Sequence, residues 1–385
     1  MRLLSTSLAA LVAGASAVSG ATIYSQKESY DVTNFFDKFT FYETKALGDD
    51  GTHGAAAYQS KAAAGKSGLY KYGTNDVYIG VDSTSWIPDG SGRPSLRLES
   101  INDYTKGLFI ARFNHMPKST CGAWPAFWTF NTDKTWPLGG EVDIYENWNL
   151  ATQNHPTFHT GAESDVGKCS ITNAGGTGTL LSSNCALNQG YGCTVVDTKG
   201  PYGTSDGGVY AMEWTDQYIR VFAWTNGQAP SNIGSSQPDT SVWGKPVAEL
   251  KNGPCNVNGQ FLAQRLVLDI NFCGDAAGNT WGDSCASKTN QASCYNYVRT
   301  NPSAFSDLYQ NVYQHFDHYV DFDQLQQDFY QHLDQHLDQH ELYYDIDQHL
   351  DQHLDQHLNQ LYCHIDQYRN DDLWNHLVYF DVVWL

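Results

Sequence analysis

The sequence predicts an all-β sandwich followed by a low-complexity C-terminal tail, and three features of residues 21–305 support the sandwich. This region is rich in Gly, Thr, Ser, Tyr and Trp. Short runs of alternating apolar and polar residues recur in it, separated by turn-forming residues. No run has the length and period of a long amphipathic helix. At 385 residues, the chain has room for one large domain and an additional segment.

Seven runs in this region have the alternation of half-buried β-strands. Because turn signals separate them at short intervals, we expect them to form two sheets that pack face to face. The glycines are scattered among turns, and no dinucleotide- or phosphate-binding loop is evident. The runs are residues 35–42, 77–82, 95–99, 107–113, 210–214, 219–224 and 265–272.

The first twenty residues have the pattern of a signal peptide. Arg2 precedes a short apolar run at residues 8–13, and small residues follow at 15–20. The apolar run is too short to span a bilayer, and no later run is long enough. We therefore expect a secreted protein that has no membrane partner.

Cysteine usage fits the oxidising conditions that a secreted protein meets. Eight of the nine cysteines lie in the predicted β domain, and Cys363 is isolated in the tail. Eight cysteines allow four disulfides, but the sequence does not give the pairing. No Cys-x-x-Cys occurs, so neither a zinc site nor a redox site is predicted. The eight are Cys121, Cys169, Cys185, Cys193, Cys255, Cys273, Cys285 and Cys294.

Residues 306–385 form a compositionally distinct tail in which Asp-Gln-His-Leu repeats. Residues 301–385 contain fifteen Asp, one Glu and only Arg369 as a basic residue, so most of the net charge of −20 lies here. We interpret the segment as a disordered acidic tail or as a translated repeat that is not native coding sequence. An alternative is metal binding by histidines four residues apart, such as His332, His336 and His340. Lys and Arg are not clustered in the chain, so no nucleic acid partner is expected.

The most informative stretch is residues 140–149, which read GEVDIYENWN. Val142, Ile144 and Tyr145 have the bias of a buried strand, in which Glu141 and Asp143 project from the same face. Glu146 is three residues further on and would point away in a regular strand. One extra residue at Ile144-Tyr145, a β-bulge, would return Glu146 to the face of the other two acids.

Three carboxylates on one strand face repel one another and contribute nothing to a core, so they need a bound cation or a chemical use. Hydrolysis of a glycosidic bond with retention is such a use. It requires a carboxylate nucleophile and a protonated general acid roughly 5 Å apart. The outer acids, Glu141 and Glu146, suit these roles, and Asp143 between them would tune both. The alternative is a solvated or calcium-binding acidic strand.

The acidic motif, together with its surroundings, resembles glycoside hydrolase family 16, in particular its fungal laminarinase-type endo-β-glucanases. It is preceded by CGAWPAFW at residues 121–128 and by WPLGG at residues 136–140. The resemblance implies a β-jelly-roll and retaining hydrolysis of β-1,3 and mixed β-1,3/1,4 glucans. It also implies that Glu141 is the nucleophile, Asp143 the assisting acid and Glu146 the acid/base. No cofactor is expected, and a structural calcium ion that the resemblance allows has no ligands assignable from sequence.

Aromatic residues near the acids suit a sugar, which has apolar C–H faces that pack on flat rings. The resemblance implies that Trp128 and Trp136 line the cleft and that His159 contacts the sugar beside the scissile bond. Trp148, just after the acids, is a further candidate for substrate binding. Two other tryptophans, Trp124 and Trp214, are assigned to the core.

Two parts of the chain depart from the family pattern. Relatives have a Trp where this chain has Ala276, and a His is common where it has Gln260. Relatives also continue after residue 305 into a closing strand, for which residues 306–316 are a poor replacement. We therefore expect a lost sugar-stacking ring, and a missing final strand whose absence lowers stability by several kcal/mol.

The sequence as a whole predicts a secreted, monomeric, retaining endo-β-glucanase whose partner is the β-glucan itself. Two alternatives stay open at this point. A cell-wall glucan transglycosylase shares the covalent intermediate and differs only in what attacks it. A non-catalytic glucan-binding module could use the same cleft, although the presence of all three acids favours catalysis.

Overall fold

The structure, a computed structural model, describes residues 24–186, 191–203 and 206–321. Two antiparallel sheets of eight strands each make up the main body of this part of the chain. The predicted signal peptide and the repeats of the predicted tail lie outside these residues. The all-β jelly-roll sandwich predicted from the sequence is confirmed. Each of the seven predicted strand runs contains or overlaps a strand, although residues 35–37 form a 3-10 turn instead.

The first sheet, here called the cleft sheet, carries the acidic motif on its central strand. Its spatial order is β12-β13-β11-β10-β9-β17-β7-β2. The bounds are β2 (Phe39–Phe41), β7 (Arg97–Ser100), β9 (Ala123–Phe130), β10 (Glu141–Glu146), β11 (Thr157–His159), β12 (Thr179–Ser182), β13 (Cys193–Val196) and β17 (Arg265–Phe272).

The second sheet has the order β16-β15-β14-β8-β18-β5-β4, and β1 also pairs with β18. Strands β3 (Ala56–Tyr58) and β6 (Arg93–Ser95) pair in parallel and form a separate two-stranded sheet. The bounds in the second sheet are β1 (Tyr24–Tyr30), β4 (Tyr70–Tyr72), β5 (Asp76–Gly80), β8 (Gly107–His115), β14 (Gly208–Trp214), β15 (Tyr218–Trp224), β16 (Ala248–Lys251) and β18 (Tyr309–Asp321).

Helices in the described residues are short and connect strands. The α-helices are α1 (Lys61–Ser67), α2 (Glu163–Val166), α3 (Val257–Gln260), α4 (Cys285–Thr289) and α5 (Cys294–Thr300). The 3-10 turns are Phe35–Asp37, Thr240–Val242, Trp281–Asp283 and Pro302–Phe305, and a π-helical turn spans Gly274–Gly278. Within the described ranges, no helix combines the length and the apolar character that crossing a membrane requires.

The main hydrophobic core lies between the two sheets and is built by strand alternation. In β8, Phe109 and Phe113 point into this core, whereas Leu108 and Ile110 pack on the opposite side in a smaller cluster that includes Trp243. Alternation of this kind is what allows one strand to separate two apolar layers. The core between the sheets fixes the backbone of β10, so the face of β10 that carries the acids points away from the core.

Four disulfides join the eight cysteines of the β domain, as their number predicted. Four disulfides in one domain are typical of proteins that fold in an oxidising compartment. The structure supplies the pairing that the sequence left open: Cys121–Cys285, Cys169–Cys255, Cys185–Cys193 and Cys273–Cys294.

The prediction that the closing strand is missing, and that the tail begins at residue 306, is wrong. Strand β18 runs from Tyr309 to Asp321 and lies between β8 and β5. Its polar residues have partners that a hydrophobic pattern does not reveal. His318 stacks on Phe109 with ring centroids 4.7 Å apart, and Asp317 accepts a 2.8 Å hydrogen bond from Gln26. Since these polar side chains are satisfied, the strand can be buried without an apolar sequence.

Candidate active site

Strand β10 presents its three acids on one face of the cleft sheet. The pairing of β10 with β9 shifts by one residue between Asp143 and Tyr145. The predicted β-bulge is therefore confirmed, and it brings Glu146 to the face that Glu141 and Asp143 share. The residues of β9 that face the acids alternate along that strand and so lie on one side of it. The pairs are Glu141 with Phe130, Asp143 with Trp128 and Glu146 with Ala126.

Each of the two glutamates accepts a hydrogen bond from an indole. Trp136 Nε1 donates to Glu141 Oε2 at 2.7 Å, from the loop between β9 and β10. Trp124 Nε1 donates to Glu146 Oε1 at 2.8 Å, from the start of β9. A charged acceptor strengthens such bonds. Each indole therefore fixes the orientation of one carboxyl group and stabilises its ionised form.

His159, on the neighbouring strand β11, lies close to both Asp143 and Glu141. It lies directly opposite Glu141 on β11. Its Nε2 is 2.9 Å from Asp143 Oδ2 and 3.6 Å from Glu141 Oε1. The ring of Trp136 lies 5.7 Å from the imidazole. His159 and Trp136 therefore form one wall of the acidic site.

Burial raises the pKa of Glu141 to about 8, and the nearby Asp143 carboxyl adds to the rise. Burial and Asp143 have the same effect on Glu146, whose pKa is also raised to about 8. The pKa of Asp143 lies well above its usual range because the group is buried and faces another acid, Asp269. Like charges close together in a poorly solvated site cannot all ionise. The acids of the site therefore cannot all be ionised near neutral pH, and at least one of them keeps its proton.

A fourth carboxyl, Asp269 on β17, belongs to the same face and was not predicted as a site residue. It accepts hydrogen bonds from Tyr58 Oη at 2.9 Å and from Trp128 Nε1 at 3.2 Å. The guanidinium of Arg97 lies over the Trp128 ring, 4.9 Å from its centroid. In the sequence, the only signal for this residue is an acid within the apolar run of β17.

The structure places the predicted aromatic residues in different settings. Trp128 and Trp136 lie on the acidic face, whereas Trp148 follows β10 and packs against His155 with ring centroids 4.7 Å apart. Trp214 is 2% exposed and belongs to the core, as expected. The assignment of Trp124 to the core is wrong, because its indole contacts Glu146. In the sequence, every second residue of β9 faces the acids, and Trp124 belongs to this set together with Ala126, Trp128 and Phe130.

The two positions that depart from the family pattern lie in the short helical turns before and after β17. Gln260 is buried at the end of α3, where its Nε2 donates to the carbonyl oxygen of Pro137 at 3.2 Å. It thereby holds the loop that carries Trp136. Ala276 is half-buried in the π-helical turn that follows β17. A methyl group at this position offers little area for stacking on a sugar.

In the described ranges, one group of side chains could bind a metal ion: Glu141, Asp143 and His159. Each offers one ligand atom, and these atoms lie within 4.8 Å of one another. This set includes an imidazole, whereas calcium prefers six or more oxygen ligands. The three residues belong to the acidic site and do not fit the structural calcium ion that the resemblance allowed.

The raised pKa values predict that acidity stabilises the fold at this site. The folded protein holds a proton on Glu146 that the unfolded chain releases above a pKa of about 4.3. The contribution of this group to the free energy of unfolding therefore falls as pH rises from about 4.3 to the folded value of about 8. Glu146→Gln removes the titration and is expected to raise Tm relative to wild type at pH 8 by about 2 °C or more.

Differential scanning calorimetry at pH 5 and pH 8 tests this expectation, and the exposed Glu163→Gln is the matched control. The Tm difference between Glu146→Gln and wild type should grow from pH 5 to pH 8, while the control shows no such trend. Titrating groups that do not interact with Glu146 cancel in this comparison. A difference that is the same at both pH values would contradict the assigned pKa direction.

The fold and the site define the chain as a glycoside hydrolase catalytic domain of the jelly-roll class. The model of an XgeA-like catalytic GH16 domain matches residues 39–315. The chain belongs to glycoside hydrolase family 16. It is 40% identical over 300 residues to a probable endo-1,3(4)-beta-glucanase of Aspergillus fumigatus, covering 75% of this chain and 44% of that protein. It is 39% identical over 315 residues to an endo-1,3(4)-beta-glucanase of Arthroderma benhamiae, covering 78% and 66%. The chain thus spans less than two thirds of the length of these relatives.

Two solved structures are similar over the whole of their own chains. One is an elongating GH family 16 beta-1,3-glucosyltransferase, with a TM-score of 0.70 and 38% identity over 77% of this chain. The other is laminarinase 16A of Phanerochaete chrysosporium, with β-glucans in its donor and acceptor sites, a TM-score of 0.69 and 32% identity over 77% of this chain. The family therefore includes both a hydrolase and a transferase of similar fold.

Proposed function

We propose that the protein is a secreted, retaining endo-β-glucanase that hydrolyses β-1,3 and mixed β-1,3/1,4 glucans. The observation that carries this proposal is the bulged strand β10, which presents Glu141 and Glu146 on one face with Asp143 between them. An indole donor on each glutamate gives the two groups fixed and separate orientations. The endo-1,3(4)-beta-glucanase names of the fungal relatives support the substrate class. The four disulfides support secretion.

In the proposed reaction, the carboxylate of Glu141 attacks the anomeric carbon while Glu146 gives its proton to the departing glycosidic oxygen. The C–O bond to the leaving sugar breaks as the bond to Glu141 forms. A water molecule then gives a proton to Glu146 and attacks the same carbon, which releases Glu141. This division of roles needs one ionised and one protonated glutamate, and the pKa of both is raised by burial.

The surroundings favour Glu141 as the ionised partner. It accepts the Trp136 hydrogen bond, and His159 Nε2 lies 3.6 Å from its second oxygen. Both interactions lower the pKa of Glu141 against the effect of burial. Trp124 and His159 lower the pKa of Glu146 in the same way, but the Asp269 carboxyl adds to the rise at Glu146. Burial and the facing Asp269 carboxyl hold the pKa of Asp143 well above its usual range, so Asp143 resists ionisation between the two glutamates. Trp128, Trp136, Trp148 and His159 are proposed as sugar contacts.

A second candidate is a glucan transglycosylase, in which a sugar hydroxyl replaces water in the second step. The similarity of this chain to an elongating beta-1,3-glucosyltransferase supports transglycosylation as the alternative activity. Competition between water and a sugar acceptor decides between the two activities, and Ala276 near the cleft provides less stacking area for an acceptor than an aromatic residue would. We therefore place hydrolysis first.

Incubation with laminarin and a fluorescently labelled laminarioligosaccharide acceptor tests the proposal. A hydrolase shortens laminarin and releases reducing ends, with the label left on small products. A transferase moves the label into longer chains without a matching increase in reducing ends. Binding of laminarin with neither outcome would identify a non-catalytic binding module and contradict the proposed function.

A further inference from the structure

Asp269 lies in the same row of the cleft sheet as Glu146. Three adjacent strands contribute this row: Glu146 from β10, Ala126 from β9 and Asp269 from β17, each opposite the next. Side chains opposite each other in antiparallel strands project from the same face. In this register Ala126 is the residue between the two acids. The buried carboxyl of Asp269, at 5% exposure, therefore lies on the same face as Glu146, two strands away.

The contacts of Asp269 hold it in one orientation and connect it to the middle of the acidic site. Tyr58 Oη donates to Oδ2 at 2.9 Å, and Trp128 Nε1 donates to Oδ1 at 3.2 Å. Trp128 lies directly opposite Asp143. Arg97, directly opposite Asp269 on β7, lies over the ring of this indole, 4.9 Å from the ring centroid. The carboxyl of Asp269 and the guanidinium of Arg97 together fix the plane of Trp128.

We infer that Asp269 is a positioning residue for the reaction: it orients Trp128 beside Asp143, and its charge holds the transferable proton on Glu146. This inference rests on the proposed function. During formation of the glycosyl-enzyme, that proton passes from Glu146 to the glycosidic oxygen, and Glu146 is left as a carboxylate. A negative charge two strands away opposes loss of the proton to solvent before a substrate is bound.

The electrostatics agree with this geometry. Asp269 raises the pKa of Glu146 and of Asp143, in addition to the larger effect of burial on each. Burial raises the pKa of Asp269 itself to about 7, while Arg97 and the hydrogen bond from Tyr58 lower it. Asp269 therefore carries its charge at the pH where Glu146 begins to lose its proton. The charged and titratable groups that act on Asp269 or face it are Arg97 on β7, Tyr58 on β3, Asp50 in the loop before β3, and Asp143 and Glu146 on β10.

The pH dependence of kcat/KM in Asp269→Asn tests the inference, because Asn keeps the shape and removes the charge. With laminarin, the alkaline limb assigned to Glu146 should move down by about half a pH unit, as expected for two charges roughly 10 Å apart in a partly solvated cleft. At pH 9 the variant should lose about threefold in kcat/KM relative to wild type, with little change at pH 5. Asp216→Asn, an exposed charge on the turn between β14 and β15, should leave the limb unchanged.

A dinitrophenyl laminaribioside separates this role from direct sugar binding. Its leaving group departs without a proton, so kcat/KM no longer depends on Glu146 as an acid. The Asp269→Asn variant should then match wild type within about twofold at every pH. An unchanged alkaline limb with laminarin, or an equal loss on both substrates, would overturn the inference.

A second variant, Tyr58→Phe, keeps the inference testable if Asp269→Asn does not fold. Tyr58→Phe removes one hydrogen-bond donor from Asp269 and so raises the pKa of that acid, which leaves less charge beside Glu146. The alkaline limb should move in the same direction as in Asp269→Asn, and an unmoved limb would count against the inference. An inactive wild-type protein would instead contradict the proposed function, so the two failures are distinguishable.

Discussion

Glu141→Gln is expected to lower the rate of reducing-sugar release from laminarin by about a thousandfold or more, since the amide cannot form the glycosyl-enzyme. The same loss is expected with mixed-linkage β-glucan because both substrates use the same nucleophile. The amide oxygen can still accept the hydrogen bond from Trp136 Nε1, so the site should stay folded. Affinity for laminarin, measured by calorimetry with the inactive variant, should change little.

Glu163→Gln is the matched control for this substitution, because Glu163 is exposed in α2 and away from β10. It should retain wild-type activity on both glucans. A Glu141→Gln protein that keeps more than about a tenth of wild-type kcat would contradict the assignment of Glu141 as nucleophile. In that case another group would have to carry the covalent bond.

The second large effect is expected from the end of the domain. A chain that ends at Asp307 lacks β18, which lies between β8 and β5 and also pairs with β1. Its loss removes buried Val312 and Tyr319 together with three ladders of backbone hydrogen bonds. The cost is on the order of 5 kcal/mol or more, which is comparable to the whole stability of a typical domain. We expect this chain to be insoluble or unfolded at 25 °C.

A chain that ends at Phe322 keeps all of β18 and is the control for this truncation. Its thermal melt by circular dichroism should lie within about 2 °C of the full-length protein, and its activity should be unchanged. Equal melting temperatures for the chains ending at Asp307 and Phe322 would contradict the structural role of β18. That result would return the end of the domain to residue 305, as the sequence pattern predicted.

The acidic site was predictable because it combines a strand period with an unusual residue type. Residues that alternate in a strand share a face, and three acids in six positions do not suit a core. The odd spacing between Asp143 and Glu146 required a bulge, and the structure has one there. Local geometry and charge were thus sufficient for the central strand, since both are properties of neighbouring residues in the chain.

Residues that complete the site from other strands were harder to predict. Trp124 and Asp269 face Glu146 only because β9 and β17 pair with β10 in this order and register. Register is determined by the packing of both sheets and is not contained in any single run. The assignment of Trp124 to the core failed for this reason, although most tryptophans in a sandwich are buried.

The closing strand was missed because its buried residues are polar. Hydrophobic alternation is the main signal for a strand, and the sequence YQNVYQHFDHYVD has little of it. In the fold, Gln310 donates to the carbonyl oxygen of Asp269, and His318 stacks on Phe109 and meets the Tyr104 ring edge to face. The partners come from residues far away in the chain. A pattern that considers one segment at a time cannot anticipate that they will be present.

Proton NMR of the first products from a short laminarioligosaccharide, recorded within minutes of adding enzyme, tests the central claim most directly. Two displacements at one carbon, by Glu141 and then by water, preserve configuration. The newly formed reducing end should therefore appear first as the β-anomer, and the α-anomer should follow by slow mutarotation. Initial appearance of the α-anomer would indicate a single displacement by water and would contradict the assignment of Glu141 as nucleophile and Glu146 as acid/base.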